Sequence, residues 1–196
     1  MQEDLARRLV IDATSRLYLR EMNTTLSGNV SLRMESGRML ITPSGLDKSR
    51  LRPSDISLMD ISSEKLINGP KQSSEYHVHT RTYMNNAEVK AIVHSHAPYS
   101  IGMISALGAK TAIKEISKSD EEYKYYLGKV VSVGIMASGS VELGNAVADA
   151  VKKGAKVVIM ENHGTVGVGK TLHKALDRVE YLEYMMKMLY LTRTVR

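Results

Sequence analysis

Two histidines one residue apart, His94-Ser95-His96, directly follow the apolar run Ala91-Ile92-Val93. In an extended strand, residues i and i+2 project from the same face, about 6–7 Å apart along the chain. Two imidazoles placed in that way can share one metal ion. Zinc takes nitrogen ligands at about 2.0–2.1 Å, and a catalytic zinc keeps one coordination position open. The same spacing also fits two surface histidines at a strand end. A third histidine stands in Glu161-Asn162-His163-Gly164, just past a second apolar run at 157–160. Two neighbouring strands ending at the same sheet edge would bring His163 beside the pair. Alone, it also reads as a turn histidine before Gly164.

Ser73-Ser74-Glu75 offers a different chemistry. Hydroxyls beside the unpaired N–H groups of a helix N-terminus suit a phosphate. Glu75 in a first helical turn either balances the helix dipole or serves the metal as a base or fourth ligand. His79, one turn further on, is expected to hydrogen-bond near the site, and His77 to lie on the surface. Gly28-Asn29 and Thr42-Pro43-Ser44-Gly45 are turns whose backbone can approach a ligand closely, or plain hairpin turns.

These residues need elements to position them. A first helix is predicted over 3–22, with Leu5, Leu9, Ala13 and Leu17 at four-residue spacing and Ala6 and Val10 widening the stripe. Short strands are predicted at 30–34, 39–42, 56–60, 89–94, 129–133, 157–160 and 165–168, with turn residues between them. Ser73 or Ser74 would cap a helix to about residue 85, Pro98 would open one ending near Gly108, and Ser140 would cap one ending before Gly154. The stretch 110–128 is polar, rich in Lys, Glu and Tyr, and is assigned to no element. The last helix is predicted over 171–191, with Leu172, Ala175, Leu176, Val179, Leu182, Met186 and Leu189 on one face. Helices intermixed with strands argue for a sheet covered by helices.

Composition excludes several classes. The 196 residues fit one domain and can bury a real core. With 12 Met, 10 Tyr and neither Phe nor Trp, that core must be aliphatic and methionine-rich. The absence of cysteine removes disulfides, thiolate chemistry and cysteine-ligated metal. No run of about 18 apolar residues spans a membrane, and the N-terminal MQEDLARRLV has charges where a signal peptide needs apolar residues. A cytoplasmic protein is expected. The net charge of +6 suits an anionic small substrate, but the basic residues are scattered, so no nucleic-acid partner is expected.

In order, GNVS (28–31), ITPSG (41–45), SSE (73–75), HSH (94–96) and NHG (162–164) resemble the class II aldolase/adducin family, over nearly the whole chain. The resemblance implies a single three-layer α/β/α domain over 1–196 with a central mixed, largely antiparallel sheet. It implies zinc, or another divalent metal, held by Glu75, His94, His96 and His163, with Glu75 also the catalytic acid/base. It implies a phosphorylated ketose substrate whose phosphate is held by Asn29, Ser44, Gly45, Ser73 and Ser74. The activity implied is cleavage of a ketose 1-phosphate of the fuculose-1-phosphate type to dihydroxyacetone phosphate and a short aldehyde. The metal would serve as a Lewis acid for the charge left by cleavage. Methylthioribulose-1-phosphate dehydratases and pentulose-5-phosphate 4-epimerases are sister activities. Adducin-like members are non-catalytic scaffolds that lack the ligand set.

The resemblance further implies a homotetramer with sites at subunit interfaces. Tyr181, Tyr184, Met185 and Met188 beside the core stripe of the last helix agree with that, and also with one large core. Two stretches depart from the aldolase pattern. ITPSGLDKSRL (41–51) is similar to a Ser-Gly-x-Asp-Lys stretch of the dehydratases, which archaeal-type aldolases of this length can carry as well. Where fuculose-type aldolases carry a tyrosine proton donor, 110–128 offers Glu115, Glu121 and Tyr123, each equally readable as a solvated residue.

Overall fold

The computed structural model describes residues 2–119 and 121–194. Its centre is a sheet of strands β1 (Asn29–Arg33), β2 (Arg38–Ile41), β3 (Ser57–Asp60), β4 (Leu66–Asn68), β5 (Ala91–Ser95), β6 (Val130–Val133), β7 (Val157–Met160) and β8 (Gly164–Gly169). They lie in the order β4-β3-β2-β1-β5-β8-β7-β6. Neighbours are antiparallel except β6 and β7, so the sheet is mixed and largely antiparallel, as expected. The helices are α1 (Glu3–Leu19), α2 (Tyr76–Asn85), α3 (Pro98–Leu107), α4 (Ala109–Ser119), α5 (Tyr123–Tyr126), α6 (Val141–Lys152) and α7 (Leu172–Thr194).

The two faces of the sheet follow the strand period of two. On β5, Ala91 and Val93 pack with Val10 and Leu17 of α1 and Ala175 and Val179 of α7. Ile92 points the other way, against Val78 of α2 and Leu143 and Val147 of α6. A third apolar cluster joins α3, α4 and α7 to Val157 and Ile159 of β7. The contact of α7 with the sheet is close because β8 is glycine-rich. A Cβ on Gly167 would stand 2.5 Å from the Ala175 carbonyl oxygen, a separation only glycine permits.

Several expectations change. In α1 the buried line is Ala6, Val10, Ala13 and Leu17, while Leu5 and Leu9 are exposed. A strict four-residue spacing drifts around a helix of 3.6 residues per turn, whereas alternating steps of four and three stay on one line. The stretch 110–128 forms most of α4 and all of α5, and Tyr123 is buried in the third cluster rather than solvated. Strand β4 leaves no signal in the sequence, because its residues are exposed and show no inward-outward alternation. The last helix matches its expected face, with Met185 also buried and Tyr184 and Met188 exposed.

The topology gathers one edge. β5 and β7 both run antiparallel to β8, so they end together, and β1 and β8 start where they end. Asn29 stands opposite His94, and Thr165 opposite Ser95. The strands carrying His94 and preceding His163 are not direct neighbours as expected: β8 lies between them.

Candidate metal centre

At that edge, ligand atoms of Glu75, His94, His96 and His163 all lie within 4.8 Å of one another. His94 is the penultimate residue of β5, and the chain turns into α3 just beyond His96. His163 sits in the turn from β7 to β8, where Asn162 adopts φ 56°, a conformation asparagine tolerates better than most residues. Gly164 lets this turn come down onto β5. A Cβ there would lie 2.5 Å from the Ser95 carbonyl oxygen and 2.8 Å from His94 Cε1. Glu75 occupies the position expected of a serine, the N-cap of α2. Its side chain makes no cap and is free to point at the histidines. Ser73 instead accepts a hydrogen bond from the Glu75 amide through its Oγ at 3.3 Å.

The four groups meet closely. His94 Nε2 lies 2.8 Å from His96 Nε2 and 3.0 Å from Glu75 Oε2, and His163 Nε2 lies 2.9 Å from Glu75 Oε1. His94 Nδ1 is 3.0 Å from the Thr165 carbonyl oxygen. A carbonyl only accepts, so Nδ1 carries a proton, and Nε2, turned toward His96 and Glu75, is the atom the ring offers to a metal. Four potential ligand atoms gathered in this way suit a shared cation. Three imidazole nitrogens and one carboxylate form a donor set that fits a divalent metal such as zinc. Burial pushes His96 down to about 4, helped by the neighbouring His94 and His163. That keeps it in the neutral form a metal requires. Burial alone would raise the Glu75 carboxyl, but His94 and His163 hold it well below the usual carboxylate range.

Behind the ligands runs a buried chain of hydrogen bonds. Asn29 Nδ2 donates to Glu75 Oε2 at 2.9 Å. Asn29 Oδ1 accepts from His79 Nε2 at 2.5 Å, and His79 Nδ1 meets Ser31 Oγ at 2.6 Å. Ser31 Oγ in turn meets the Tyr83 hydroxyl at 2.8 Å. Burial above all, and then His94, push His79 down to about 3, so it is neutral. With Nε2 donating, Nδ1 must accept the Ser31 proton, and Tyr83 donates to Ser31. The chain therefore fixes the Asn29 amide with its nitrogen toward Glu75. Such outer partners orient ligands. His79 has the supporting place expected of it. His77 does not lie free on the surface: its Nδ1 is 3.1 Å from Glu64 Oε1 and its side chain is only 15% exposed.

Glu75 and His96 also line a cleft of about 180 Å³ with Ser44, Gly45, Ser73 and Ser74. The two loops that build it are stitched together: the Ser44 amide bonds the Lys71 carbonyl at 2.9 Å and the Ser73 amide the Thr42 carbonyl at 3.1 Å. Asn29 borders the same cleft, and its amide nitrogen keeps a second proton beyond the one given to Glu75. Ser138, which donates to Glu75 Oε1 at 3.0 Å, was missed. It lies far along the chain in a loop with no motif. Lys48, the lysine of the Ser-Gly-x-Asp-Lys stretch, lines the cleft as well, a place that stretch alone does not assign to it.

A family model described as Class II Aldolase and Adducin N-terminal domain matches residues 8–190. The chain belongs to that family. Relatives in it carry different enzyme names. The 3-oxo-tetronate 4-phosphate decarboxylase of Pectobacterium atrosepticum is 31% identical over 96% of this chain and 85% of its own length. The L-fuculose phosphate aldolase of Methanocaldococcus jannaschii is 32% identical over 97% of this chain and 98% of its own. A crystal structure of a sugar-phosphate aldolase from Thermotoga maritima shares the fold, with a TM-score of 0.87 at 23% identity over 97% of this chain and 95% of that one. Relatives with enzyme names across nearly the whole chain, and a grouped histidine–glutamate set, place this member of the class II aldolase family among its enzymes.

Proposed function

We propose that the protein is a zinc-dependent aldolase that cleaves a ketose 1-phosphate of the fuculose-1-phosphate type to dihydroxyacetone phosphate and a short aldehyde, within one domain spanning 1–196. The observation that carries this reading is the convergence of Glu75, His94, His96 and His163 beside a cleft lined by serine and glycine. In this reading those four residues hold the metal. When bound, it supplies a Lewis acid for negative charge developing on the substrate oxygens.

The chain's own residues do the rest. Asn29, Ser44, Gly45, Ser73 and Ser74 take the phosphate, and this remote binding energy orients the reacting end. Glu75, kept anionic, takes the proton from the carbon that becomes nucleophilic in condensation; in cleavage the proton released from the hydroxyl at the breaking bond is taken up at the site and delivered to that carbon through Glu75. Asn29 and Ser138 hold its two oxygens in place. A homotetramer and a cytoplasmic location complete the proposal. The exposed Tyr184, Met188, Tyr190 and Leu191 on α7 support the first, and the cysteine-free composition supports the second.

A second reading rests on the decarboxylase relative. Loss of carbon dioxide from a 3-oxo acid phosphate also breaks a carbon–carbon bond and leaves charge beside a carbonyl. The same phosphate cleft, base and metal would serve it, as they would the sister epimerase or dehydratase chemistry. Phosphorus NMR of the zinc-loaded protein tests these together, with fuculose, rhamnulose, 5-deoxyribulose and methylthioribulose 1-phosphates, ribulose 5-phosphate and 3-oxo-tetronate 4-phosphate, each with and without chelator. Chelator-sensitive dihydroxyacetone phosphate is the expected product. Turnover of the 3-oxo acid alone, or epimerised or dehydrated product without cleavage, would replace the aldolase reading.

A further inference from the structure

Lys48 lines the same cleft yet has no part in the functional reading so far. It is only 4% exposed. Its Nζ donates to the Leu26 carbonyl at 2.7 Å, and its backbone amide bonds the Thr25 carbonyl at 2.8 Å. An ammonium carries three protons. Among the described residues only the Leu26 carbonyl takes one of them, and no carboxylate forms an ion pair with it. The nearby acid whose field acts on Lys48 is Glu75. Glu75 is already engaged by His94, His163, Asn29 and Ser138. A buried ammonium without a counter-charge is costly, and burial lowers the Lys48 pKa accordingly. Such a group is kept where an arriving anion completes it.

The rest of the lining sharpens the point. The other polar groups bordering the cleft beyond the metal centre are hydroxyls, one amide and backbone, all neutral, and no other Lys or Arg borders it among the described residues. A phosphate dianion held by neutral donors alone would keep its charge uncompensated. We infer that Lys48 is the counter-charge for the substrate's phosphate, and that it makes the cleft selective for a dianionic end over a neutral hydroxymethyl end. This rests on the proposed placement of phosphate in the cleft. Lys48 is thus a specificity residue, distinct from the metal ligands and from Glu75.

The test separates charge from the strut role that the Leu26 contact also gives Lys48. Inorganic phosphate is titrated calorimetrically into the full-length zinc-loaded protein and again after chelation. Wild type, Lys48→Met and Lys48→Gln are compared, with zinc content and thermal unfolding recorded for each. Gln keeps a donor for the Leu26 carbonyl but carries no charge. The expected result is that both variants bind phosphate about 10–100-fold more weakly, the range of one charge-assisted hydrogen bond, with zinc content unchanged. Wild-type affinity in Lys48→Gln would overturn the inference and leave the strut role alone. Should Lys48→Met unfold or lose zinc, Lys48→Gln carries the same expectation. Failure of the wild type to bind phosphate in either state would overturn the inference together with the phosphate half of the proposed function.

Discussion

His79 gives the sharpest test of the buried chain behind the metal ligands. Its imidazole is fully buried, donates to Asn29 and accepts from Ser31. In the native protein it is pushed down to about 3, against about 6.5 in an unfolded chain. Above pH 6.5 both states hold it neutral, and pH changes nothing. Below 6.5 the unfolded chain takes up a proton that the native state refuses, so stability falls as pH falls. The slope approaches 1.4 kcal/mol per pH unit, and the loss between pH 7 and pH 5 sums to about 2 kcal/mol. His79→Leu removes this dependence. At pH 7 the variant should itself be about 1–3 kcal/mol less stable, because the Asn29 oxygen loses its donor. Urea unfolding of chelator-treated wild type and variant at pH 7, 6 and 5, followed by circular dichroism, reads both effects. His96 and other titrating groups are common to both proteins and cancel in the difference. The stability gap should narrow by about 2 kcal/mol toward pH 5. Parallel profiles would refute a neutral, proton-refusing His79.

Three further substitutions probe the site. Glu75→Gln should leave zinc on the three histidines yet slow turnover by roughly 10²–10⁴-fold; normal turnover with a cleaved substrate would remove Glu75 from proton transfer. Gly164→Ala should cost about 1–3 kcal/mol by overpacking and weaken zinc binding, since the added methyl meets Ser95 and His94; an unaltered zinc titration would show that the turn can shift freely. Glu183 on α7 accepts from the Tyr99 and Ser100 amides and the Ser100 hydroxyl at 2.9, 2.8 and 2.7 Å, capping the helix that follows His96. Glu183→Gln should lower stability by about 2 kcal/mol, read from urea midpoints, and an unchanged midpoint would deny the cap any weight.

The ligand set was legible because local spacing announces it. His94 and His96 share a strand face by period two, and His163 and Glu75 each sit at an element boundary marked by Gly or Ser. Most strands and the long helices were legible for the same reason. What stayed hidden depends on partners distant in sequence. Ser138 acts on Glu75 across 63 residues and His79 on Asn29 across 50, and neither contact leaves a local pattern. The segment 110–128 was legible only in part: Ala109, Ala112 and Ile116, the buried residues of α4, stand at helical spacing, but among Lys, Glu and Ser residues that mask the stripe. The position of β8 between β5 and β7 follows from sheet topology, which hydrophobic period does not encode.

The most direct measurement is anomalous scattering at the zinc edge from crystals of the metal-loaded protein. One strong peak is expected within about 2.0–2.2 Å of the imidazole nitrogens of His94, His96 and His163 and of a Glu75 oxygen, and no peak there in His94→Ala. A zinc peak bound elsewhere, or none between these four residues, would contradict the metal centre on which the proposed chemistry stands.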